Sequence, residues 1–136
     1  MSDRTFDLTV VTPERQVFQG PVAMVIVRTV DGEIGVLPGH APLVAPLAIG
    51  PMTIKTPAGE RKAAVNGGFI EVTPRQVTIL TEAAEMAEEI DVRRAEEAKK
   101  RALARLEKKR ADIDYARAQA ALQRAIVRLK VAGREG

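Results

Sequence analysis

The chain has 136 residues, of which 46% are hydrophobic but only 3% aromatic, so aliphatic side chains must form its core. The absence of cysteine excludes disulfides, thiolate nucleophiles and cysteine-based zinc sites. The net charge of +3 is too small by itself to argue for a nucleic-acid ligand. No segment approaches the roughly 18 apolar residues that cross a bilayer, and the N-terminus lacks the pattern of a signal peptide, so we expect membrane association only through a partner protein.

The first part of the chain has the pattern of short β-strands. Apolar and polar residues alternate over residues 6–10, 52–56 and 77–79, the two-residue period of half-buried strands. Residues 22–27 form a continuous apolar run, as in a strand that is covered on both faces. Glycine and proline pairs that favour turns recur about every ten residues, among them Gly20-Pro21, Gly50-Pro51 and Gly67-Gly68. These features predict an all-β sandwich of about ten short strands in residues 1–86.

The second part of the chain has the composition of helices. Residues 91–132 contain neither proline nor glycine and are rich in Ala, Glu, Lys, Arg and Leu. Asp91 is the predicted N-cap of a first helix that begins at Val92, and Asp112 is the predicted N-cap of a second. The cations at residues 108–110 suit the last turn of the first helix, because they complement its dipole.

Each predicted helix carries one thin apolar stripe. The stripes consist of Ala95, Ala98, Ala102 and Leu106 in the first helix, and of Tyr115, Ala118, Leu122, Ala125, Ile126 and Leu129 in the second. The short connection between the helices predicts an antiparallel two-helix hairpin in residues 87–136. Because isolated helices of this kind are marginally stable, we expect a mobile appendage that docks on other surfaces.

The sequence lacks the residues of common active sites. It has no Gly-x-x-x-x-Gly-Lys-Ser/Thr phosphate loop, and His40 is its only histidine. The paired carboxylates at Glu88 with Glu89 and at Glu96 with Glu97 are typical of solvated helix surfaces. We therefore predict a non-catalytic protein without a metal site.

Three stretches carry a resemblance to a known family. They are GEIGVLPGHAPL at residues 32–43, VNGGFIEV at residues 65–72 and IDVRRA at residues 90–95. In this order, and with a sandwich followed by a hairpin, the chain resembles the epsilon subunits of bacterial F-type ATP synthases. The third stretch matches the Ile/Leu-Asp-x-x-Arg-Ala pattern of that family, and it resembles the ATP-binding, bacillus-like members.

The resemblance implies a non-catalytic subunit of the central rotor stalk, which couples proton-driven rotation of the membrane ring to ATP synthesis. The sandwich would contact the gamma subunit and the c-ring loops, peripherally on the cytoplasmic side of the cell membrane. The positions that match the family's partner-contact region are Glu33, Leu37, Pro38, His40 and Ala41. Each also has an ordinary interpretation, since Pro38 suits a turn and an acid such as Glu33 is usually solvated.

The resemblance also implies regulation by the hairpin. In the family the hairpin either folds against the sandwich or extends along gamma into the catalytic alpha/beta hexamer, where it inhibits ATP hydrolysis. Bacillus-like members bind ATP on the folded hairpin without hydrolysing it, and the need for Mg²⁺ is left open. The matching positions are Glu85, Ile90, Asp91, Arg94, Ala95, Arg101, Arg124 and Arg128.

Helix geometry gives independent support for a phosphate site. Arg94 and Arg101 are seven residues apart, and Arg124 and Arg128 are four apart, so each pair shares a helix face. Antiparallel packing with a reversal near Ala111 sets Arg94 level with Arg128 and puts Arg124 between Arg94 and Arg101 in height. Converging guanidiniums repel one another unless an anion joins them, and their planar forks suit phosphate oxygens.

Other interpretations of these arginines remain open. They can form a solvated face with intrahelical pairs such as Glu97 with Arg101, in a purely structural rotor coupler without nucleotide sensing. On an extended hairpin they can meet acidic residues of the catalytic hexamer. A basic nucleic-acid-binding helix pair is a further alternative, because about two thirds of the lysine and arginine follow residue 84, but Tyr115 is the only tyrosine and there is no tryptophan to stack on bases.

Overall fold

The computed structural model describes residues 4–108 and 114–134. It confirms an N-terminal β-sandwich followed by a two-helix hairpin. The elements in chain order are β1 (Phe6–Val11), β2 (Gln16–Val22), β3 (Met24–Thr29), β4 (Gly32–Val36), β5 (Leu43–Thr56), β6 (Gly59–Val72), β7 (Gln76–Leu80), β8 (Ala84–Met86), a 3-10 turn (Ala87–Glu89), α1 (Val92–Glu107) and α2 (Tyr115–Val131).

One hydrogen-bonded sheet, in the order β2-β1-β7-β6-β5-β3-β4, folds over to give the two layers of the sandwich. The long hairpin of β5 and β6 belongs to both layers. At the open end of this hairpin, β6 pairs with β7. Toward its turn, β5 pairs with β3, and β6 pairs with β8. Only β1 and β7 pair in parallel among these strands. Eighteen buried apolar residues fill the space between the layers, with Leu8, Met52, Ile54, Ile70 and Ile79 among the largest.

The described residues contain eight strands, fewer than the predicted ten or so, because three predicted turns lie inside strands. Gly20-Pro21 belongs to β2, Gly50-Pro51 to β5 and Gly67-Gly68 to β6. At Gly68 (φ +108°) an added Cβ would lie 2.0 Å from the carbonyl oxygen of Leu80. Glycine is therefore needed there for a close approach of the next strand, not for a chain reversal.

The apolar run at residues 22–27 is not a single strand covered on both faces. It is divided at Ala23, where β2 ends and β3 begins. In β3, buried residues alternate with half-buried ones, so this strand has the ordinary two-residue period. Half-buried Met24 and Ile26 hide the alternation in the sequence, because they are as apolar as their buried neighbours.

Each helix begins directly after an aspartate that caps its N-terminus. Asp91 caps α1 as predicted, and its side chain accepts a hydrogen bond from the backbone N–H of Arg94 at 3.1 Å. Asp114, not Asp112, caps α2, and it accepts from the N–H of Arg117 at 3.1 Å. Asp112 lies outside the described residues, as do the cations at residues 109 and 110. α1 ends at Glu107, directly before Lys108.

The hairpin is layered on the sandwich, with α1 on α2 and α2 on β5 and β6. The predicted alanine positions Ala95, Ala102, Ala118 and Ala125 are buried, which allows the two helices to approach closely. Tyr115 departs from its predicted stripe, because its side chain is 40% exposed. Its hydroxyl donates instead to the carbonyl oxygen of Lys108 at 2.6 Å, which ties the start of α2 to the end of α1.

Candidate functional site

Helix α2 is held to the sandwich by a small apolar cluster, separate from the sandwich core. Its buried members are Ala64 from β6, Ile90 from the linker, and Val127 and Val131 from α2. Half-buried Ile49, Ala87 and Ala132 pack around them. We call the four buried residues the docking cluster. With four buried members against eighteen in the sandwich core, it is the weaker of the two apolar contacts.

An ion pair lies beside the docking cluster. Ala84 and Met86 of β8 are buried in the core, so Glu85 between them faces the opposite side of the strand, toward α2. There its Oε1 accepts a hydrogen bond from Nε of Arg128. The two side chains are 32% and 31% exposed, so the pair is partly screened by water.

A small cavity lies between α2 and the sheet, beside this ion pair. Glu85, Arg124, Val127 and Arg128 line it on one side, and residues of β5, β6 and the segment before β8 line it on the other. Its volume is about 10 Å³, which is the room of one water molecule. A ligand larger than water does not fit inside it and has to lie over its mouth, beside Arg124 and Arg128.

The predicted nucleotide residues lie at several different places in the structure. Glu85, Arg124 and Arg128 meet at the cavity, and Ile90 belongs to the docking cluster. Ala95 is buried on α1, and Asp91 is occupied as its N-cap.

Arg94 and Arg101 have exposed side chains on α1 and do not line the cavity. Within residues 4–108 and 114–134, neither guanidinium forms an ion pair, so the predicted pair of Glu97 with Arg101 is absent there. Glu97 lies instead 3.9 Å from Nε of Arg93.

Two further ion pairs fix the linker before α1 to the sandwich. Arg15 makes a two-pronged contact with Glu89, with N–O distances of 2.9 and 3.0 Å, and Arg61 of β6 pairs with Glu88. The hydrogen bond from Arg61 lowers the pKa of Glu88, and the hydrogen bond from Arg15, with one from the N–H of Met86, lowers the pKa of Glu89. The same contact with Glu89 raises the pKa of Arg15. We call the two pairs the linker clamp.

The predicted partner-contact residues lie together at one edge of the sandwich. Glu33 is exposed on β4, and the other four follow in the loop before β5. The N–H of His40 donates to the carbonyl oxygen of Leu37 at 3.2 Å, and Gly39 has a φ of +80°, as in a tight turn. Leu37 is 55% exposed at this turn, so an apolar side chain faces solvent in the isolated chain.

The residues that hold the hairpin on the sandwich were not predicted from the sequence. Val127 and Val131 are four residues apart and thus mark a second apolar face of α2, a signal visible in the sequence. The linker clamp gave no such signal, because Arg15 and Glu89 are 74 residues apart. No group of three possible metal ligands occurs among the residues that the structure describes. In the same part of the chain, neither helix has the length and apolar character of a bilayer span.

Family models match both parts of the chain. Residues 5–87 match the β-sandwich domain of the ATP synthase delta/epsilon chain, and residues 88–133 match its long α-helix domain. The "ATP synthase epsilon chain" of Bacillus velezensis is 52% identical over 130 residues, which cover 96% of this chain and 98% of the relative. That of Alkalihalophilus pseudofirmus is 54% identical over 108 residues, 79% and 81% of the two chains.

Solved structures give the same result. A chain of the Euglena gracilis mitochondrial ATP synthase, in a structure of OSCP, F1 and c-ring, superposes with a TM-score of 0.82 at 30% identity, over 95% of this chain and 81% of that one. A chain from the central stalk and c-ring of the Tetrahymena thermophila enzyme shares the fold at 14% identity, with a TM-score of 0.56. The fold thus defines a two-part, non-catalytic ATP synthase component. The chain belongs to the ATP synthase delta/epsilon family and, within it, to the bacillus-like F-type epsilon chains.

Proposed function

We propose that the chain works in the central rotor stalk and that its hairpin is a conformational switch. Docked on the sandwich, the hairpin leaves ATP hydrolysis free. Extended into the catalytic alpha/beta hexamer, it inhibits hydrolysis. ATP bound to the docked hairpin, without being hydrolysed, favours the docked state. The observation that carries this proposal is the small attachment of α2, by four buried residues and one partly exposed ion pair.

The place in the rotor rests on the relatives and on the exposed edge of the sandwich. The Euglena chain stands in an assembly with F1 and the c-ring, and we carry that setting to this chain. The turn that exposes Leu37, together with Glu33, His40 and Ala41, offers a mixed apolar and polar surface to gamma and to the loops of the ring. The subunit would then be held peripherally, on the cytoplasmic side of the cell membrane, by these partners.

The size of the attachment suits a switch. Full burial of a Val or Ile side chain contributes roughly 1.5–3 kcal/mol, before the cost of ordering the chain is subtracted. The docking cluster has three such side chains, Ile90, Val127 and Val131, so undocking should cost only a few kcal/mol. Competing contacts in the hexamer could match that, whereas they could not open the sandwich core.

Electrostatics makes the docked hairpin a suitable site for a polyphosphate. α2 has four cations, Arg117, Arg124, Arg128 and Lys130, and no acid between Tyr115 and Val131. Glu85 neutralises only Arg128 among them in the described part of the chain. A triphosphate over the cavity mouth would join Arg124 and Arg128 to the unpaired arginines of α1 and so tie both helices together. Mg²⁺, if bound, would be held mainly by the phosphates and water.

The energetic effect of ATP follows from linkage. A ligand that binds only the docked state favours it by RT ln(1 + [L]/Kd), which is about 2.7 kcal/mol at a hundredfold excess over Kd. This is comparable with the expected undocking cost, so cellular ATP could decide which state prevails.

The test is a calorimetric titration of the full chain with ATP. Arg128→Ala and Arg124→Ala should lose most of the heat, because each removes a guanidinium from the cavity mouth. Arg117→Ala is the matched control on the same helix, because Arg117 lies about 16 Å along the axis from Arg128 and about 10 Å from Arg124 and does not line the cavity. Equal binding by all three variants would contradict an ATP site at this place.

A purely structural coupler is the second candidate, and one observation favours it. Arg128 already has a partner in Glu85, and the cavity has room for only one water molecule, so docking alone accounts for these residues. Truncation after Glu89 keeps the linker clamp and removes the hairpin. In the assembled enzyme the switch predicts faster ATP hydrolysis with ATP synthesis preserved, whereas the coupler predicts no change in hydrolysis.

A further inference from the structure

Two residues separate the carboxylates of the linker clamp from the start of α1. Glu88 and Glu89 are the last residues with side-chain bonds to the sandwich before the hairpin, and Ile90 and Asp91 follow. Ile90 (φ −73°, ψ 125°) and Asp91 (φ −83°, ψ 99°) are both extended. α1 then begins at Val92 and packs on α2, not on the sheet.

We propose that the hairpin turns about Ile90 and Asp91 while the 3-10 turn Ala87–Glu89 stays fixed to the sandwich. This inference rests on the proposed switch, because it locates the hinge of that movement. It divides the contacts of the docked state into two sets. The docking cluster and the Glu85–Arg128 pair break when the hairpin leaves, and the linker clamp does not.

Arg15 connects the clamp to a hydrogen-bonded turn of the sandwich. It lies in the turn between β1 and β2, where Thr12 Oγ1 accepts from the N–H of Arg15 at 3.2 Å and the N–H of Thr12 donates to the carbonyl oxygen of Arg15 at 2.9 Å. Its Nη2 also reaches the carbonyl oxygen of Ala84 in β8 at 3.4 Å. Arg15 therefore connects the turn, the last strand and Glu89 through one planar group.

Arg61 is supported independently. It belongs to the long strand β6, where its backbone is paired with Ile54 of β5. Its guanidinium carbon lies 5.8 Å from the centre of the Phe18 ring on β2, within the range of a cation–π contact. Two arginines from different parts of the sandwich thus hold neighbouring carboxylates. Each of these pairs is more exposed than the Glu85–Arg128 pair, so the turn is held by both pairs acting together and by Met86, directly before it, which is buried in the sandwich core.

The two residues after the clamp are suited to absorb a change of direction. The N–H of Ile90 makes a long hydrogen bond of 3.3 Å to the carbonyl oxygen of Ala87, and its side chain packs in the docking cluster. Asp91 contributes its carboxylate to the cap of α1, so it moves with that helix. Hinges of this kind are a few element-terminal residues whose φ and ψ change while both neighbours stay rigid.

The test uses covalent tethers in the assembled ATP synthase, because the chain has no cysteine of its own. One variant, Arg15→Cys with Glu89→Cys, is cross-linked by a short bis-maleimide and replaces a clamp contact. A second, Glu85→Cys with Arg128→Cys, is cross-linked in the same way and holds α2 down. The same variants without cross-linker are the matched controls for folding and assembly, and inhibition of ATP hydrolysis is the readout.

The hinge predicts different outcomes for the two tethers. Cross-linking residues 15 and 89 should leave inhibition of hydrolysis unchanged relative to the unlinked variant. Cross-linking residues 85 and 128 should abolish it. Loss of inhibition with the first tether would overturn the hinge while leaving the switch in place. Unchanged inhibition with the second tether would show that the hairpin does not leave the sandwich, which removes the switch and the hinge together.

Discussion

Nε of Arg128 on α2 donates to Oε1 of Glu85 on β8, so the ion pair spans the boundary between the hairpin and the sandwich. The pairing follows from the position of each residue in its element. Alternation in β8 turns Glu85 away from the core, and Arg128 comes directly after Val127 of the docking cluster. A partly exposed pair of this kind orients α2 and adds modest energy, which suits a contact that has to break.

The Glu85–Arg128 pair should contribute about 1 kcal/mol to docking, the usual upper value for a partly exposed pair. A double-mutant cycle with Glu85→Ala and Arg128→Ala measures it through amide exchange in α2. The control cycle uses Arg93 and Glu97, whose 3.9 Å contact lies within α1 and should show no coupling to docking. Equal coupling in both cycles would mean that the Glu85 contact has no special role.

Val127→Ala should weaken docking without weakening the sandwich. It removes the equivalent of two buried methylenes from the docking cluster, about 1.5 kcal/mol at roughly 0.8 kcal/mol each. Amide exchange in α2 should accelerate about tenfold, while exchange in β6 and β7 stays unchanged. Val44→Ala is the control, because Val44 is 67% exposed on the sandwich. Joint acceleration of helix and core exchange would contradict separate apolar units.

Gly68→Ala should destabilise the sandwich far more than Gly67→Ala. Both residues have a positive φ, +108° and +78°, so each substitution carries backbone strain. Only at Gly68 would the new Cβ overlap a backbone oxygen, that of Leu80 at 2.0 Å, whereas at Gly67 the nearest atom is 3.7 Å away. We expect a loss of about 3 kcal/mol or more at Gly68 and about 1–2 kcal/mol at Gly67, measured by denaturant unfolding. Equal losses would mean that the close approach is absent in solution.

The contribution of Glu89 to stability should depend on pH. Arg15 lowers the pKa of Glu89 in the folded chain, so the stabilisation is present above the unfolded carboxyl pKa of about 4.3. It is lost as the pH falls through the lower, folded value. The Tm difference between the wild type and Glu89→Gln should therefore be constant near neutral pH and shrink in acid. A difference that persists unchanged below both pKa values would contradict the charge-assisted contact.

The elements were predictable where local chemistry decides them. Alternation and helix composition predicted the sandwich and the hairpin, and capping predicted Asp91 as the N-cap of α1. The two long strands were not predictable, because Gly50-Pro51 and Gly67-Gly68 have the composition of turns but lie inside β5 and β6. The start of α2 was misplaced because Asp112 and Asp114 are equally good caps by residue type.

The candidate site was predictable only in part, for a similar reason. The shared face of Arg124 and Arg128 follows from helix spacing, but their meeting with Glu85 depends on how α2 lies on the sandwich. The linker clamp joins residues that are far apart in the chain, and its carboxylates were interpreted as solvated. Tertiary contacts of this kind leave no periodic trace in the sequence.

The most direct test of the switch is the distance between the sandwich and α1 as ATP is added. Spin labels at Ala58→Cys, in the turn between β5 and β6, and at Lys100→Cys, exposed on α1, report it by pulsed electron resonance. The Val127→Ala background, with its weakened docking, makes the undocked fraction measurable. The switch predicts that ATP raises the fraction at the docked distance, and that Arg128→Ala abolishes this response. A distance distribution that saturating ATP leaves unchanged would contradict the switch.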